Sequence, residues 1–268
     1  MSWLSYCFIE QKTTEALKTR HGKQVTYLFT TIAFVLLNIF AGWIYIRAGV
    51  VRDIPELYIS KNNIHRGMHG EYVDRGYQYD KPFSTDKKHL YVIGNSIARD
   101  FINIILESSF AEGVEISYST DNNFKKEDVR FHDADYVFLS RSSLTEDLIN
   151  EVEIMCIRNG FDIHNLIIVG EKNFGVSNGQ IYLKRFSKNY YDQYVEVEDY
   201  ERFVVKNNYF AEKYDERYID LMKNVTGEGD KVRVFTPDHH FISADCRHLT
   251  IGGAKFYADK IDWNFLLK

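Results

Sequence analysis

Two short stretches, far apart in the chain, carry residue types that together could perform nucleophilic catalysis. The first is YVIGNSIARDF, residues 91–101, where an apolar run stops at Gly94-Asn95-Ser96 and a helix-like pattern begins at once. A serine at such a strand-to-helix turn is either a helix N-cap or a nucleophile held where backbone N–H groups converge. The nucleophilic reading needs a histidine and a carboxylate elsewhere. The second stretch, ISADCRHLTIGGAKFYA (residues 242–258), has both: Asp245 and His248, two residues apart, just before a Gly-Gly-Ala helix start. At that spacing the two side chains can touch, so the Asp can fix the imidazole tautomer and offset its positive charge. Read alone, the same segment is equally a polar loop capping the last helix.

The elements between these stretches decide whether they can meet. From His89 onward, short apolar runs alternate with helical segments. HLYVIG, VEISYST, ADYVFLS, NLIIVG and KVRVFTP read as five strands. IARDFINIILESSF reads as a helix with Ile97, Phe101, Ile104 and Ile105 on one face. SLTEDLINEVEIMCIRNG reads as a second, opened by a Ser143/Glu146 capping box and closed at Gly160. A mostly helical stretch spans about Tyr190 to Val225, and a closing helix runs from Gly252. Such alternation predicts a parallel sheet covered on both faces, with sites at the carboxyl ends of its strands. Ser96 lies at such an end.

Composition narrows the classes. The chain has 268 residues, 45% apolar and 26% charged, which suits a folded protein. A net charge of −5 offers no basic excess to neutralise phosphates and argues against nucleic acid. Aromatics reach 15%, a share that ordinary cores explain as readily as carbohydrate binding. Cys7, Cys156 and Cys246 show neither metal-ligand spacing nor a disulfide framework, and no metal site is expected.

Residues 25–46, VTYLFTTIAFVLLNIFAGWIYI, contain no charge. At 1.5 Å per residue they form roughly 33 Å of helix, enough for a hydrocarbon core of about 30 Å. Tyr27, Trp43 and Tyr45 suit an interfacial belt, and the run is too long for a signal-peptide core. We read a single membrane span. Lys12, Lys18, Arg20 and Lys23 precede it and lie closer together than Arg47, Arg52 and Lys61 behind it. The positive-inside rule then places the following domain outside the cytoplasm. The expected layout is an N-terminal segment (1–24), the span (25–46), an extracytoplasmic linker packing on the next domain (47–88) and a catalytic domain (89–268).

The pairing of Gly94-Asn95-Ser96 with Asp245-x-x-His248 resembles the SGNH hydrolase superfamily, serine esterases and acyl-transferring relatives on a flavodoxin-like sheet. The family's first block is usually Gly-Asp-Ser. Its last, Asp-x-x-His then Leu-Ser/Thr and a small-residue helix, is matched by Asp245, His248, Leu249, Thr250 and Gly253-Ala254. The resemblance covers residues 89–268. It implies a three-layer α/β domain with a parallel sheet, Ser96 as nucleophile, His248 as general base and Asp245 as its orienting partner. The family's oxyanion hole adds a Gly and an Asn to the nucleophile's own N–H. Here SRSS follows the third strand, so the candidates are the Ser96 N–H with Ser142 or Asn173. Asn95 in place of Asp removes a charge beside the nucleophile and keeps an amide N–H.

A second resemblance lies at the N-terminus. LSYCFIEQ, residues 4–11, is similar to the Leu-Ser-Tyr-x-Phe-Ile-Glu segment that ends the last core helix of the acyltransferase 3 membrane family, although Lys12 stands where a Pro usually follows. Many of those proteins continue through one more span and a linker into an exported SGNH domain. Together the resemblances imply an O-acyltransferase, acetyl being the expected group, acting on hydroxyls of a cell-surface polysaccharide from the outer side of the inner membrane. They imply no bound cofactor, an acyl donor delivered by a separate acyltransferase 3 membrane partner, and a polysaccharide acceptor. A membrane-anchored esterase and a non-catalytic carbohydrate-binding relative stay open as alternatives.

Overall fold

The computed structural model describes residues 3, 6, 10–46, 54–59, 69–120 and 128–264. Cys7, most of the Leu4–Gln11 motif and much of the expected linker lie outside the described residues. The chain divides into two compact units, residues 1–53 and 54–268.

The first unit holds α1 (Gln11–Ala16) and the long α2 (Arg20–Ile46). Residues Arg20–Ile44 reach a mean hydropathy of 1.9 with none of the window buried, which is long and apolar enough to cross a membrane. Three polar side chains in its apolar stretch are satisfied within the helix: Thr30, Thr31 and Asn38 donate to the carbonyls of Thr26, Tyr27 and Phe34 at 2.7, 2.8 and 2.8 Å, the arrangement an apolar medium would require. Phe29, Leu37 and Ile39 stand exposed along it.

The second unit is an α/β domain. In chain order it holds α3 (His69–Asp74), β1 (Lys88–Ile93), α4 (Ser96–Glu107), β2 (Val114–Ser119), α5 (Val129–Asp133), β3 (Tyr136–Ser140), α6 (Glu146–Arg158), β4 (Leu166–Val169), α7 (Asn178–Tyr182), β5 (Tyr194–Glu196), α8 (Tyr200–Tyr214), β6 (Tyr218–Ile219), β7 (Lys231–Arg233) and α9 (Ile251–Lys260). Five strands form one parallel sheet in the order β2-β1-β3-β4-β6. This is the flavodoxin-like order, whose topological switch point lies between β1 and β3.

Both faces of the sheet are covered, and strand residues alternate between them. Leu90, Val92, Phe138 and Val169 pack towards Phe101, Ile102 and Ile105 of α4 and Ala254 and Tyr257 of α9. Tyr91, Ile93, Leu139 and Ile168 face Ile149, Val152 and Cys156 of α6 and Phe210 of α8. Period-2 alternation between two buried faces is why the strands read as near-continuous apolar runs. Full burial of each such Leu, Ile or Phe contributes about 1.5–3 kcal/mol.

Three local expectations are corrected. KVRVFTP is not the fifth parallel strand: its Lys231–Arg233 part, β7, pairs antiparallel with β5 in a separate two-stranded sheet. The fifth parallel strand is β6, only two residues long. The stretch from Tyr190 to Val225 is helical chiefly over α8, with β5 and β6 on either side. The cap of α6 is Thr145, whose hydroxyl accepts the Leu148 N–H at 3.3 Å. Ser143 cannot serve, because Leu144 is buried between it and the helix and Ser143 sits at φ +60°. The Glu146 carboxylate is taken instead by Tyr209 and Lys213.

Candidate active site

The turn after β1 is shaped by its glycine. Gly94 has φ +147°, and a Cβ there would lie 1.8 Å from the Ser140 carbonyl oxygen at the end of β3. No side chain fits between these two strands, so the chain passes at backbone distance and turns sharply into α4. The Gly94 N–H donates to Ser119 O at 3.1 Å, and its carbonyl accepts from the Tyr118 hydroxyl at 3.0 Å. The turn is thus tied to β2 as well as pressed on β3.

The N-cap of α4 is Asn95, not Ser96. Its Oδ1 accepts the Ile97 N–H at 3.1 Å, and its backbone carbonyl accepts from Ala98 N at 3.0 Å. Ser96 is therefore the first helical residue, its hydroxyl free of capping duty. Its N–H is one of the helix-terminal donors with no intrahelical acceptor, at the positive end of the macrodipole.

The second half of the site is the loop 243–249, closed on itself by polar bonds. Ser243 Oγ lies 2.6 and 2.8 Å from the carbonyl oxygens of Asp245 and His248, which share its one proton, and the Ala244 N–H donates to His248 O at 2.9 Å. Phe174 N donates to Cys246 O at 2.9 Å, stitching the loop to the segment after β4. Behind it α9 starts at once, capped by Thr250, whose hydroxyl accepts the Gly253 N–H at 3.0 Å. A Cβ on Gly253 would meet Ile242 O at 1.9 Å, so this small-residue start lets the helix press against the backbone that leads into the loop.

The two halves meet in a line. His248 Nε2 lies 2.9 Å from Ser96 Oγ, and His248 Nδ1 lies 2.8 Å from Asp245 Oδ2. A carboxylate only accepts, so Nδ1 carries the proton and Nε2 presents its lone pair to the serine. Asp245 Oδ1 accepts the N–H groups of Arg247 and His248 at 2.6 and 2.7 Å. Burial of the Asp245 carboxyl acts to raise its pKa. The bonds from the His248 ring and from the His248 and Arg247 N–H groups outweigh that, and the net result lies well below the usual carboxylate range. Asp245 is ionised throughout the neutral range.

Of the two further oxyanion candidates, Ser142 stands closer to the turn in bonding terms: its Oγ accepts from Asn95 Nδ2 at 2.8 Å. Asn173 spends its Oδ1 on the Gly175 N–H at 2.9 Å. Both line one cleft of about 250 Å³ together with Ile97, Lys172, Arg202 and Arg247. Neither this cleft nor a larger cavity of about 850 Å³, lined by Tyr218, Met222 and Lys260 among others, includes a triad residue; the smaller one holds both oxyanion candidates and the immediate neighbours of the triad, Ile97 and Arg247. Among the described residues no His, Cys, Asp and Glu group is arranged to hold a metal ion.

Sequence reasoning missed two residues beneath the site. Asp100, one turn after Ser96, and Lys172, beside Asn173, form an ion pair at 3.0 Å with side chains 0% and 1% exposed. Asp100 was detectable as a charge on an otherwise apolar helix face; Lys172 carried no local signal.

No family model matches the chain, and neither does any curated protein. Solved structures do. The periplasmic domain of a lipopolysaccharide acetyltransferase from Salmonella ser. Paratyphi A is 16% identical at a TM-score of 0.49, covering 75% of this chain and 90% of that one. A Bacteroides fragilis protein described as an acylhydrolase is 13% identical at 0.40, covering 71% and 91%. A Streptococcus pneumonia protein described as a platelet activating factor is 13% identical at 0.39, covering 74% and 92%.

Proposed function

We propose that this chain is a membrane-anchored O-acyltransferase of SGNH type that works through an acyl-enzyme on Ser96. The observation that carries this is the Ser96–His248–Asp245 line at 2.9 and 2.8 Å, set at the switch point of a parallel sheet. His248 Nε2 takes the Ser96 proton as Oγ attacks the acyl carbonyl, and returns it to the leaving group as the tetrahedral intermediate collapses. Asp245 holds the imidazole in the required tautomer and balances the imidazolium. The developing oxyanion is met by the Ser96 N–H at the start of α4, helped by the positive end of the helix. Ser142 is our choice for the second donor. Its oxygen already accepts from Asn95 Nδ2, which leaves its own O–H to point elsewhere.

In the second half-reaction an acceptor hydroxyl, deprotonated by His248, attacks the acyl-serine and frees the enzyme. The acceptor we propose is a hydroxyl of a cell-surface polysaccharide, the group an acetyl, and the donor a membrane partner of acyltransferase 3 type. This follows the block resemblances and the apolar α2 helix, with the domain on the extracytoplasmic side. Transfer requires that the sugar outcompete water for the acyl-serine.

The test is to acylate the purified full chain with an activated acetyl ester and add candidate glycans. Acetyl appearing on sugar in proportion to glycan supports the reading. Acetate release that no glycan diverts makes the protein an esterase.

A further inference from the structure

Asp100 joins three separate parts of the site through one oxygen. It stands four residues after Ser96 on α4, so its side chain lies on the same helix face, one turn below the nucleophile. Its Oδ2 accepts the N–H of Leu249, the residue after His248, at 3.0 Å. The same Oδ2 lies 3.0 Å from Lys172 Nζ, in the segment after β4 that carries Asn173. Nucleophile helix, histidine loop and cleft wall therefore converge on a single carboxylate.

This arrangement is costly. Removing both charges from water carries a large penalty, repaid only by good geometry and full hydrogen bonding. Here the bonding is incomplete: neither Asp100 Oδ1 nor Lys172 Nζ finds a hydrogen-bond partner among the described residues, so the two charges meet as an ion pair alone. Apolar side chains of similar volume in such a place are often neutral or stabilising. Stability alone does not account for an ion pair at this position, whereas registration of the parts it joins does.

We infer that the Asp100–Lys172 pair is a positioning device that holds His248 Nε2 within hydrogen-bond reach of Ser96 Oγ. Neither residue touches the reacting atoms. Lys172 fixes the rotamer of the Asp100 carboxylate, and the carboxylate fixes the backbone at Leu249, hence the His248 ring beside it. The inference rests on the acyl-enzyme reading of Ser96.

The test uses the full chain and the double variant Asp100→Leu/Lys172→Met. Melting temperature, the first-order rate constant of Ser96 acylation by an activated acetyl ester, and KM for that ester are measured together. The expected result is a melting temperature at or above wild type, unchanged KM, and acylation slower by about 100-fold, the cost of a roughly 1 Å misplacement. A second pair, Asp100→Asn/Lys172→Met, keeps an oxygen to accept the Leu249 N–H without the charges. It should recover the rate to within about tenfold of wild type, because the backbone hydrogen bond is what sets the loop. A merely structural pair would not separate rate from KM and melting in this way. Wild-type acylation by the Leu/Met variant overturns the inference. So does a melting temperature well below wild type, which would make the pair a folding device. If wild-type Ser96 is never acylated, the acyl-enzyme reading falls and this inference with it; equal acylation of wild type and the Leu/Met variant removes the inference alone.

Discussion

The two loops that meet at the site are held by different means. The Gly94–Ser96 turn is fixed by shape: a glycine at φ +147° pressed against the Ser140 carbonyl, with strands on either side. The Ser243–Leu249 loop is held chiefly by hydrogen bonds: besides the backbone pairs Ala244–His248 and Phe174–Cys246, it depends on side chains of Ser243, Asp245 and Asp100, each of which one substitution removes. Steric constraint is all-or-none because a packed interior cannot yield by an ångström. Hydrogen bonds are graded, each worth about 1 kcal/mol net, or 1.5–3 where a charge is involved. The nucleophile therefore sits on the rigid half of the site and the base on the adjustable half.

The largest effect should come from the rigid half. Gly94→Ala places a methyl group against a backbone oxygen and forces an unfavourable φ, so we expect several kcal/mol of destabilisation and no measurable acylation. A variant that melts like wild type and acylates normally would show that the turn is not sterically fixed.

In the adjustable half the loss should be graded. His248→Ala removes the base and should cost on the order of 10⁶-fold in the acylation rate, whereas Asp245→Asn keeps the base in the wrong tautomer and should cost about 10⁴-fold. Neither should shift melting by more than a few degrees. Because the Asp245 pKa is held low, the carboxylate is fully formed above the ordinary aspartate range, and its support is lost only as pH falls through the lowered value. The carboxylate's contribution to stability should therefore hold across neutral pH, and a melting-temperature difference between wild type and Asp245→Asn that vanishes between pH 6 and 8 would contradict this.

Asn95 is where the halves can be told apart most finely. Its amide donates to Ser142 Oγ; a carboxylate there would instead accept the Ser142 proton and withdraw that donor from the oxyanion. Asn95→Asp and Ser142→Ala should thus slow acylation together, each by about 100-fold or somewhat less, with little further loss in the double variant. Additive losses would break the link between the two residues.

The smallest effect lies at the other end of the sheet. Glu115, at the start of β2, accepts from the backbone N–H and hydroxyl groups of Ser84 and Thr85 at 2.8–3.0 Å. Burial acts to raise its pKa, but those bonds prevail and bring it down to about 2. Its contribution is therefore present above the ordinary glutamate range and fades as pH falls towards about 2. Glu115→Gln should lower stability at pH 7 by about 1–3 kcal/mol, with the difference shrinking in acid and the acylation rate unchanged. A changed rate would mean that the amino ends of the strands reach the chemistry.

What could be read from the chain followed how local the physics is. Gly-Asn-Ser and Asp-x-x-His are short-range devices, so both site stretches were visible, as were the first four strands with their doubly buried apolar runs. The fifth was not: β6 pairs over two residues, too short for any period, while KVRVF is apolar enough to pose as a central strand. Direction of pairing is set by the partner, here β5, and the run itself carries no trace of it. The cap of α6 was misplaced because Ser143 and Thr145 offer the same chemistry, and only the folded backbone, with Leu144 buried and Ser143 at φ +60°, chooses between them. Lys172 meets Asp100 across 72 residues of sequence, a distance at which no pattern operates.

The central claim is that Ser96 becomes acylated with His248 as its base. It is tested most directly by incubating the full chain with an activated acetyl ester, quenching in acid and locating the modification by peptide mass spectrometry. One acetyl group is expected on the peptide bearing Ser96, formed in wild type and absent in His248→Ala. An acetyl group on another residue, or equal labelling of Ser96 without His248, would contradict it.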